Sequence, residues 1–282
     1  MHSTEKTFTS HDSTIHYWDY NSDQKKTILV VHGFRGTHHG LEYIVKEMSD
    51  FRFIIPDLPG FGASDPLTDT SHTIETYTEC VYNLIQSLDK KPDYILGHSM
   101  GTIIAARLVS LHPTIVKKAV FINPISASPS KGLGIVKIFP GYVYHYAAGK
   151  YLPEKIGMWI LSNKYLFLLG SATMTKTKDK ALRKMIHWNH MEYMKRFGGR
   201  KSLLEAFESS NKSTIADYKD NLVLPLLFVA GQKDDIASIK SQRALVAQLD
   251  SAELVELTNV GHIVHYEKPK EAAAAIRAFL KK

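Results

Sequence analysis

The segment Gly97-His98-Ser99-Met100-Gly101 constrains the fold more than any other stretch of the chain. It follows the short apolar run Tyr94-Ile95-Leu96, opened by Pro92-Asp93, and precedes Thr102-Ile103-Ile104-Ala105-Ala106-Arg107-Leu108, which reads as helix. A serine with glycine two positions away on each side, at a strand-to-helix junction, describes a tight elbow. A Cβ at either glycine would collide with the neighbouring strand or helix, so the turn requires both. Such an elbow thrusts the Ser99 hydroxyl out at the carboxyl edge of a sheet, where open α/β proteins keep their ligands.

The flanking sequence supplies that sheet. Residues 4–9 and 14–20 alternate around His11-Asp12-Ser13 and predict a hairpin. The continuous apolar run Thr27-Ile28-Leu29-Val30-Val31 predicts a strand buried on both faces. A short amphipathic helix is expected over 41–48, then the strand Phe51-Arg52-Phe53-Ile54-Ile55. Over 73–88, Ile74, Tyr77, Val81, Leu84, Ile85 and Leu88 fall on one helical stripe. Ala119-Val120-Phe121-Ile122 is the next strand. After Asn123-Pro124 the rhythm changes, and residues 125–219 become aromatic, Lys-rich and helical. Strand character resumes at Val223-Leu224-Pro225-Leu226-Leu227-Phe228-Val229, followed by a helix over 238–249, a strand over 252–257 and a helix over 269–280. Strands alternating with helices at this spacing imply an α/β fold, a mostly parallel sheet covered on both faces. The expected organisation is one core domain, residues 1–124 and 220–282, interrupted by a helical insertion over 125–219. A chain of 282 residues is long enough to bury a substantial core of this kind.

Charge and cysteine content narrow the functional classes. The net charge of +7 is uneven: residues 125–219 hold sixteen Lys/Arg against six Asp/Glu, and the rest of the chain is net negative by three. An asymmetry of this kind bears on partners and substrate. It reads first as a solvated Lys-rich helical face, with attraction of anionic substrates, or weak association of the insertion with an anionic membrane surface, as the functional alternatives. No recognisable nucleic-acid module accompanies it, and nucleic acid is not expected as a partner. The single cysteine, Cys80, excludes an intramolecular disulfide framework. No apolar stretch follows the N-terminal residues, so no secretory signal is expected, and the run 222–230 is far too short to span a bilayer. These features together read as a cytoplasmic protein. His38 and His39 find no third ligand at suitable spacing, so neither a metal nor a cofactor is assigned.

A serine nucleophile needs a base to take its proton and a third group to orient that base. In this architecture the partners follow in the order acid, then histidine, each just after a later core strand. Asp234 follows Val229-Ala230-Gly231, and His262 lies in Asn259-Val260-Gly261-His262 directly after the last strand. The neighbouring candidates are Asp235 for the acid and His265 for the base. His32 and His98 are read as structural, bracing the loop after the early strand and shaping the elbow. Asp57 is read as a loop-bracing carboxylate. Asn123 directly follows the strand ending at Ile122, and an amide there cannot supply a full negative charge.

These motifs resemble the α/β-hydrolase superfamily: His32-Gly33-Phe34, Asp57-Leu58-Pro59-Gly60-Phe61-Gly62-Ala63-Ser64, the elbow itself, Gly231-Gln232-Lys233-Asp234, and Gly261-His262 with Glu267-Lys268-Pro269 beyond. The resemblance covers the core on both sides of the insertion. It implies Ser99 as nucleophile, Asp234 as acid and His262 as base, with an oxyanion hole at the backbone N–H groups of Phe34 and Met100. It also implies that the insertion is a lid over Ser99. Relatives that are haloalkane dehalogenases or epoxide hydrolases carry a carboxylate at the elbow, and Ser99 argues against both chemistries.

The expected function is hydrolysis of small to medium carboxylic esters through an acyl-enzyme. Carbon–carbon bond hydrolysis of a dicarbonyl compound, a ligand receptor and an acyltransferase are the alternatives on the same fold. Arg35, beside the oxyanion loop, is a candidate contact for an anionic substrate group. The aromatics of the insertion, among them Phe139, Tyr142, Tyr151, Trp159, Tyr165, Phe167, Trp188 and Phe197, are expected mostly to close it against the core. A subset would line an apolar pocket.

Overall fold

Apolar runs that cannot face water on either side become the middle of one eight-stranded sheet. The computed structural model describes residues 2–128, 134–193 and 195–282, and over 134–138 the backbone alone. The core begins with β1 (Ser3–Ser10), β2 (Ser13–Tyr20), β3 (Thr27–Val31), α1 (His38–Glu47), β4 (Arg52–Pro56) and α2 (Ile74–Ser87). β5 (Tyr94–His98), α3 (Met100–Leu111) and β6 (Lys118–Ile122) follow. The inserted segment forms α4 (Gly134–Tyr146), α5 (Glu154–Ser162), α6 (Lys164–Met174), α7 (Lys180–Tyr193) and α8 (Arg200–Lys212). The core then resumes with β7 (Leu226–Gly231), α9 (Ile239–Val246), β8 (Ala252–Leu257), α10 (Val264–Glu267) and α11 (Pro269–Lys281).

The strand order is β1-β2-β4-β3-β5-β6-β7-β8. β2 runs antiparallel to both its neighbours, and every pair from β4 to β8 is parallel. Alternate residues of the central strands feed two cores. Leu29, Val31, Ile95, Phe121 and Phe228 pack with α2 and α3 on one face. Ile28, Val30, Leu96, Val120 and Val229 pack with α1 and α11 on the other. Both registers are apolar because both faces are covered.

Two boundaries and one burial expectation differ from the sequence reading for identifiable reasons. α1 starts at His38, three residues early, because the Asp57 carboxylate accepts the His38 backbone N–H at 2.7 Å and supplies negative charge to the helix N-terminus. β7 starts at Leu226, after Pro225, which has no N–H to give the ladder, and Val223 stays 68% exposed. The aromatics of the insertion are the larger correction. Phe139, Tyr151, Trp159, Tyr165 and Trp188 turn outward, so much of the aromatic surface does not close the insertion on the core.

The insertion meets the core at the carboxyl ends of the parallel strands. Its residue Phe197 bridges Phe61, Gly198 donates to the Gly60 carbonyl at 2.9 Å, and Lys176 donates its backbone N–H to Glu267 at 2.7 Å. Among the described residues no helix is long and apolar enough to cross a membrane.

Candidate active site

Ser99 occupies the turn between β5 and α3 with φ 52° and ψ −121°. A non-glycine residue held there costs of order 1–3 kcal/mol, and the surroundings enforce it. A Cβ at Gly97 would lie 2.4 Å from the Gly101 carbonyl oxygen, and one at Gly101 would lie 2.1 Å from the Val31 carbonyl oxygen. The strand, the elbow and the helix therefore approach to a distance that only glycine allows. The Ser99 backbone N–H donates to Ile122 of β6 at 3.1 Å, which fixes the turn to the sheet.

Three distant stretches meet at this turn. Ser99 Oγ lies 2.8 Å from His262 Nε2, and His262 Nδ1 lies 2.8 Å from Asp234 Oδ2. Asp234 is buried and fully hydrogen-bonded. Its Oδ1 accepts the backbone N–H groups of Ile236 and Ala237, each at 2.9 Å, and its Oδ2 also accepts the Asn123 side-chain amide at 3.0 Å. Four donors, counting His262 Nδ1, thus fix the position of this carboxylate. Asp235, one residue on, pairs with Lys176 at 2.7 Å.

Asn123 does more than its sequence position suggested. It is fully buried, with φ 48°, at the end of β6. Its amide donates to Asp234 and, at 2.9 Å, to the Gly261 carbonyl, and its oxygen accepts the Val264 N–H at 3.3 Å. One side chain thus ties the acid to both sides of the histidine. Its signal in the sequence is an Asn-Pro step directly after a core strand, where left-handed φ and a short polar side chain go together.

The neighbouring histidines are held neutral. His98 Nε2 donates to the His262 carbonyl at 3.1 Å, and burial, with His262 beside it, pushes its pKa down to about 3. His32 Nε2 accepts the Leu58 N–H at 2.9 Å while Nδ1 donates to the Gly33 carbonyl, and burial lowers its pKa too. His265 packs 4.1 Å from the His98 ring, deeply buried and well below its ordinary pKa for that reason. None of the three contacts Ser99 Oγ through a ring nitrogen.

The loop after β3 lies against the serine: a Cβ at Gly33 would come 2.9 Å from Ser99 Cβ. Among the described residues, the N–H groups of Phe34 and Met100 donate to no protein acceptor. Met100 also opens α3, whose N-terminal dipole end adds positive potential there. The Phe34 ring packs on Phe61, His145 and Phe207 at 6.0, 5.4 and 5.6 Å, an aromatic wall shared between core and insertion.

Arg35 is placed differently from the expectation of a substrate contact. It is buried, with φ 57°, and its Nη2 donates to the Leu161 carbonyl of α5 at 2.9 Å. Its guanidinium also lies over the rings of Phe167 and Phe197 at 4.5 and 5.1 Å. Asp57 braces its loop by accepting His38 Nδ1 at 3.0 Å and the Ala63 N–H at 3.0 Å. Burial opposes its charge, and the His38 hydrogen bond still holds its carboxyl below the ordinary range. The expectation that no third ligand stands near His38 and His39 is corrected: Glu42, one turn along α1, brings its ligand atoms within 4.8 Å of theirs. Those groups already have partners, Asp57 for His38 and the Tyr20 hydroxyl for Glu42.

A family model of the alpha/beta hydrolase fold matches residues 26–269. The chain belongs to that family. It is 24% identical to Lipase 1 of Psychrobacter immobilis over 259 residues, covering 89% of this chain and 76% of that one. It is 23% identical to an sn-1-specific diacylglycerol lipase of Mus musculus, covering 90% and 80%. An esterase structure from Exiguobacterium antarcticum superposes with a TM-score of 0.80 at 14% identity, covering 99% of this chain and all of the other. It is an alpha/beta hydrolase whose curated relatives include proteins named as lipases and esterases.

Proposed function

We propose that the protein hydrolyses small to medium carboxylic esters through an acyl-enzyme formed on Ser99. The observation that carries this reading is the unbroken hydrogen-bonded series from Ser99 Oγ through both nitrogens of His262 to Asp234, each link 2.8 Å. His262 takes the serine proton as Oγ adds to the ester carbonyl, then returns it to the departing alcohol. Asp234 holds the ring with Nδ1 protonated and stabilises the imidazolium. The oxyanion falls to the Phe34 and Met100 N–H groups, and each such donor is worth roughly 3–4 kcal/mol of barrier. Water activated by His262 then releases the acid. The insertion acts as the lid, and the aromatic wall beside Phe34 suits an apolar acyl or alkyl group.

The lipase and esterase names of the relatives favour esters. The carbon–carbon alternative leaned on Arg35 meeting a substrate carboxylate. With its guanidinium inside the insertion, Arg35 enters this reading as a strut joining the oxyanion loop to the lid. A cytoplasmic setting is part of the proposal, on the ground that the chain has a single cysteine, the buried Cys80, and so no intramolecular disulfide framework. Ser99→Ala should lower kcat/KM for short-chain aryl esters by at least about 10⁴-fold while leaving the circular dichroism spectrum unchanged. Retained turnover by the purified variant would remove Ser99 from the mechanism.

A further inference from the structure

The outer surface of the insertion is unlike the rest of the molecule. Of the large hydrophobic side chains exposed among the described residues, all but Leu111 and Val223 belong to the insertion. Trp159 on α5, Tyr165 and Leu169 on α6, and Trp188 on α7 are between 54% and 67% exposed. Tyr165 and Leu169 are one helical turn apart and share a face. Residues 147–191 carry eight Lys/Arg and only two acids. Lys176 alone of those cations forms an ion pair among the described residues, with Asp235.

α7 shows how the two chemistries are arranged. Its Ile186, Asn189 and His190 are buried against the body of the protein. The opposite stripe, Lys180, Lys184 and Trp188 at successive turns, lines a groove of about 420 Å³ with Leu168 of α6 and Arg183. On α6, the Lys164 ammonium sits 5.2 Å from the exposed Tyr165 ring. Ammonium groups beside outward Trp, Tyr and Leu are the chemistry of a membrane–water interface, where rings enter the headgroup layer and lysines meet lipid phosphates. A protein partner fits less well, because protein interfaces are depleted in lysine at their centre.

We propose that the outer face of α5, α6 and α7 docks on a bilayer containing anionic phospholipid, with Trp159, Tyr165, Leu169 and Trp188 inserted and Lys164, Lys180 and Lys184 on the headgroups. Docking is independent of the chemistry at Ser99, and the lid it would hold is the element that controls access to that serine.

The test uses the full chain with vesicles of phosphatidylcholine alone or mixed equally with phosphatidylglycerol. Two of the three tryptophans, Trp159 and Trp188, lie on the docking face, so emission shifts to the blue as the protein sediments with the mixed vesicles. Binding to the neutral vesicles is weaker, and salt releases the protein from the mixed ones. Lys180→Gln with Lys184→Gln lowers the partition coefficient about 30-fold, with unchanged turnover of a short soluble ester. Trp188→Ser loses a large part of the blue shift. Ser99→Ala binds as the parent does, so failure of the ester reading and failure of docking are separate results. The proposal is overturned if the parent protein stays in the supernatant with mixed vesicles, or if the double lysine variant sediments equally well.

Discussion

Replacing Asn123 with alanine tests whether the site is held by one amide or merely surrounds it. The side chain makes one bond to a carboxylate, at 3.0 Å, and two to neutral backbone groups, at 2.9 and 3.3 Å. A bond to a charged group contributes about 1.5–3 kcal/mol and a neutral one about 1. Because all three partners are buried, the variant strips the Gly261 carbonyl and the Val264 N–H of this partner and Asp234 of one of its donors, and should lose about 4 kcal/mol of stability. For a chain of this size that is a fall of about 8 °C in melting temperature. His262 keeps its bond to Asp234 but loses the ties at Gly261 and Val264 on either side of it, so kcat/KM for a short aryl ester should fall by up to about 100-fold. Asn123→Asp sharpens the test by placing a second carboxylate at the position of the amide. The two acids then share a proton, and turnover declines as rising pH removes it. Thermal denaturation followed by circular dichroism, with steady-state kinetics, reads both effects. A melting temperature within about 2 °C of the parent, with unchanged kcat/KM for Asn123→Ala, would refute the reasoning.

Arg35→Ala should cost about 2–4 kcal/mol by removing a buried hydrogen bond and two ring contacts, and should raise KM more than it lowers kcat because the lid loosens. Lysine should not restore it, since a planar guanidinium is what stacks on Phe167 and Phe197; a KM defect confined to anionic esters, with normal stability, would assign Arg35 to substrate instead. His98 and His190 are buried neutral, each with a pKa pushed from 6.5 to about 3 chiefly by burial. The unfolded chain therefore binds more protons than the native one between these values. Stability is nearly whole above about pH 6.5 and is lost as pH falls, by about 2 kcal/mol for the pair over the first unit below it; urea unfolding should show that slope, His190→Asn should flatten it, and a pH-independent midpoint would contradict it.

The meeting of Ser99, His262 and Asp234 was legible because each stands shortly after an apolar run. Ser99 sits between glycines, and Asp234 and His262 each follow a strand with glycine just before or near them, so local sequence announces the backbone that positions them. The parallel sheet was legible for the same reason, since β3, β5, β6 and β7 are apolar in both registers. What did not show was anything decided by two distant segments at once. Asn123 reads as a missing acid until the Asp234 and Gly261 loops are seen to converge on its amide. Arg35 reads as a candidate contact for an anionic substrate group until Leu161 of α5 and Phe167 of α6 are seen to hold its guanidinium. The outward turn of Trp159 and Trp188 was hidden because large aromatics are ordinarily buried, and only tertiary packing decides which side of a helix faces the body of the protein.

The central claim is that Ser99 is made nucleophilic by His262. Labelling the intact protein with a fluorophosphonate and locating the adduct by mass spectrometry tests it most directly. One phosphonyl group on the peptide containing Ser99, its formation suppressed in His262→Ala, is the result the geometry requires. An unlabelled protein, or an adduct on a different serine, would contradict it.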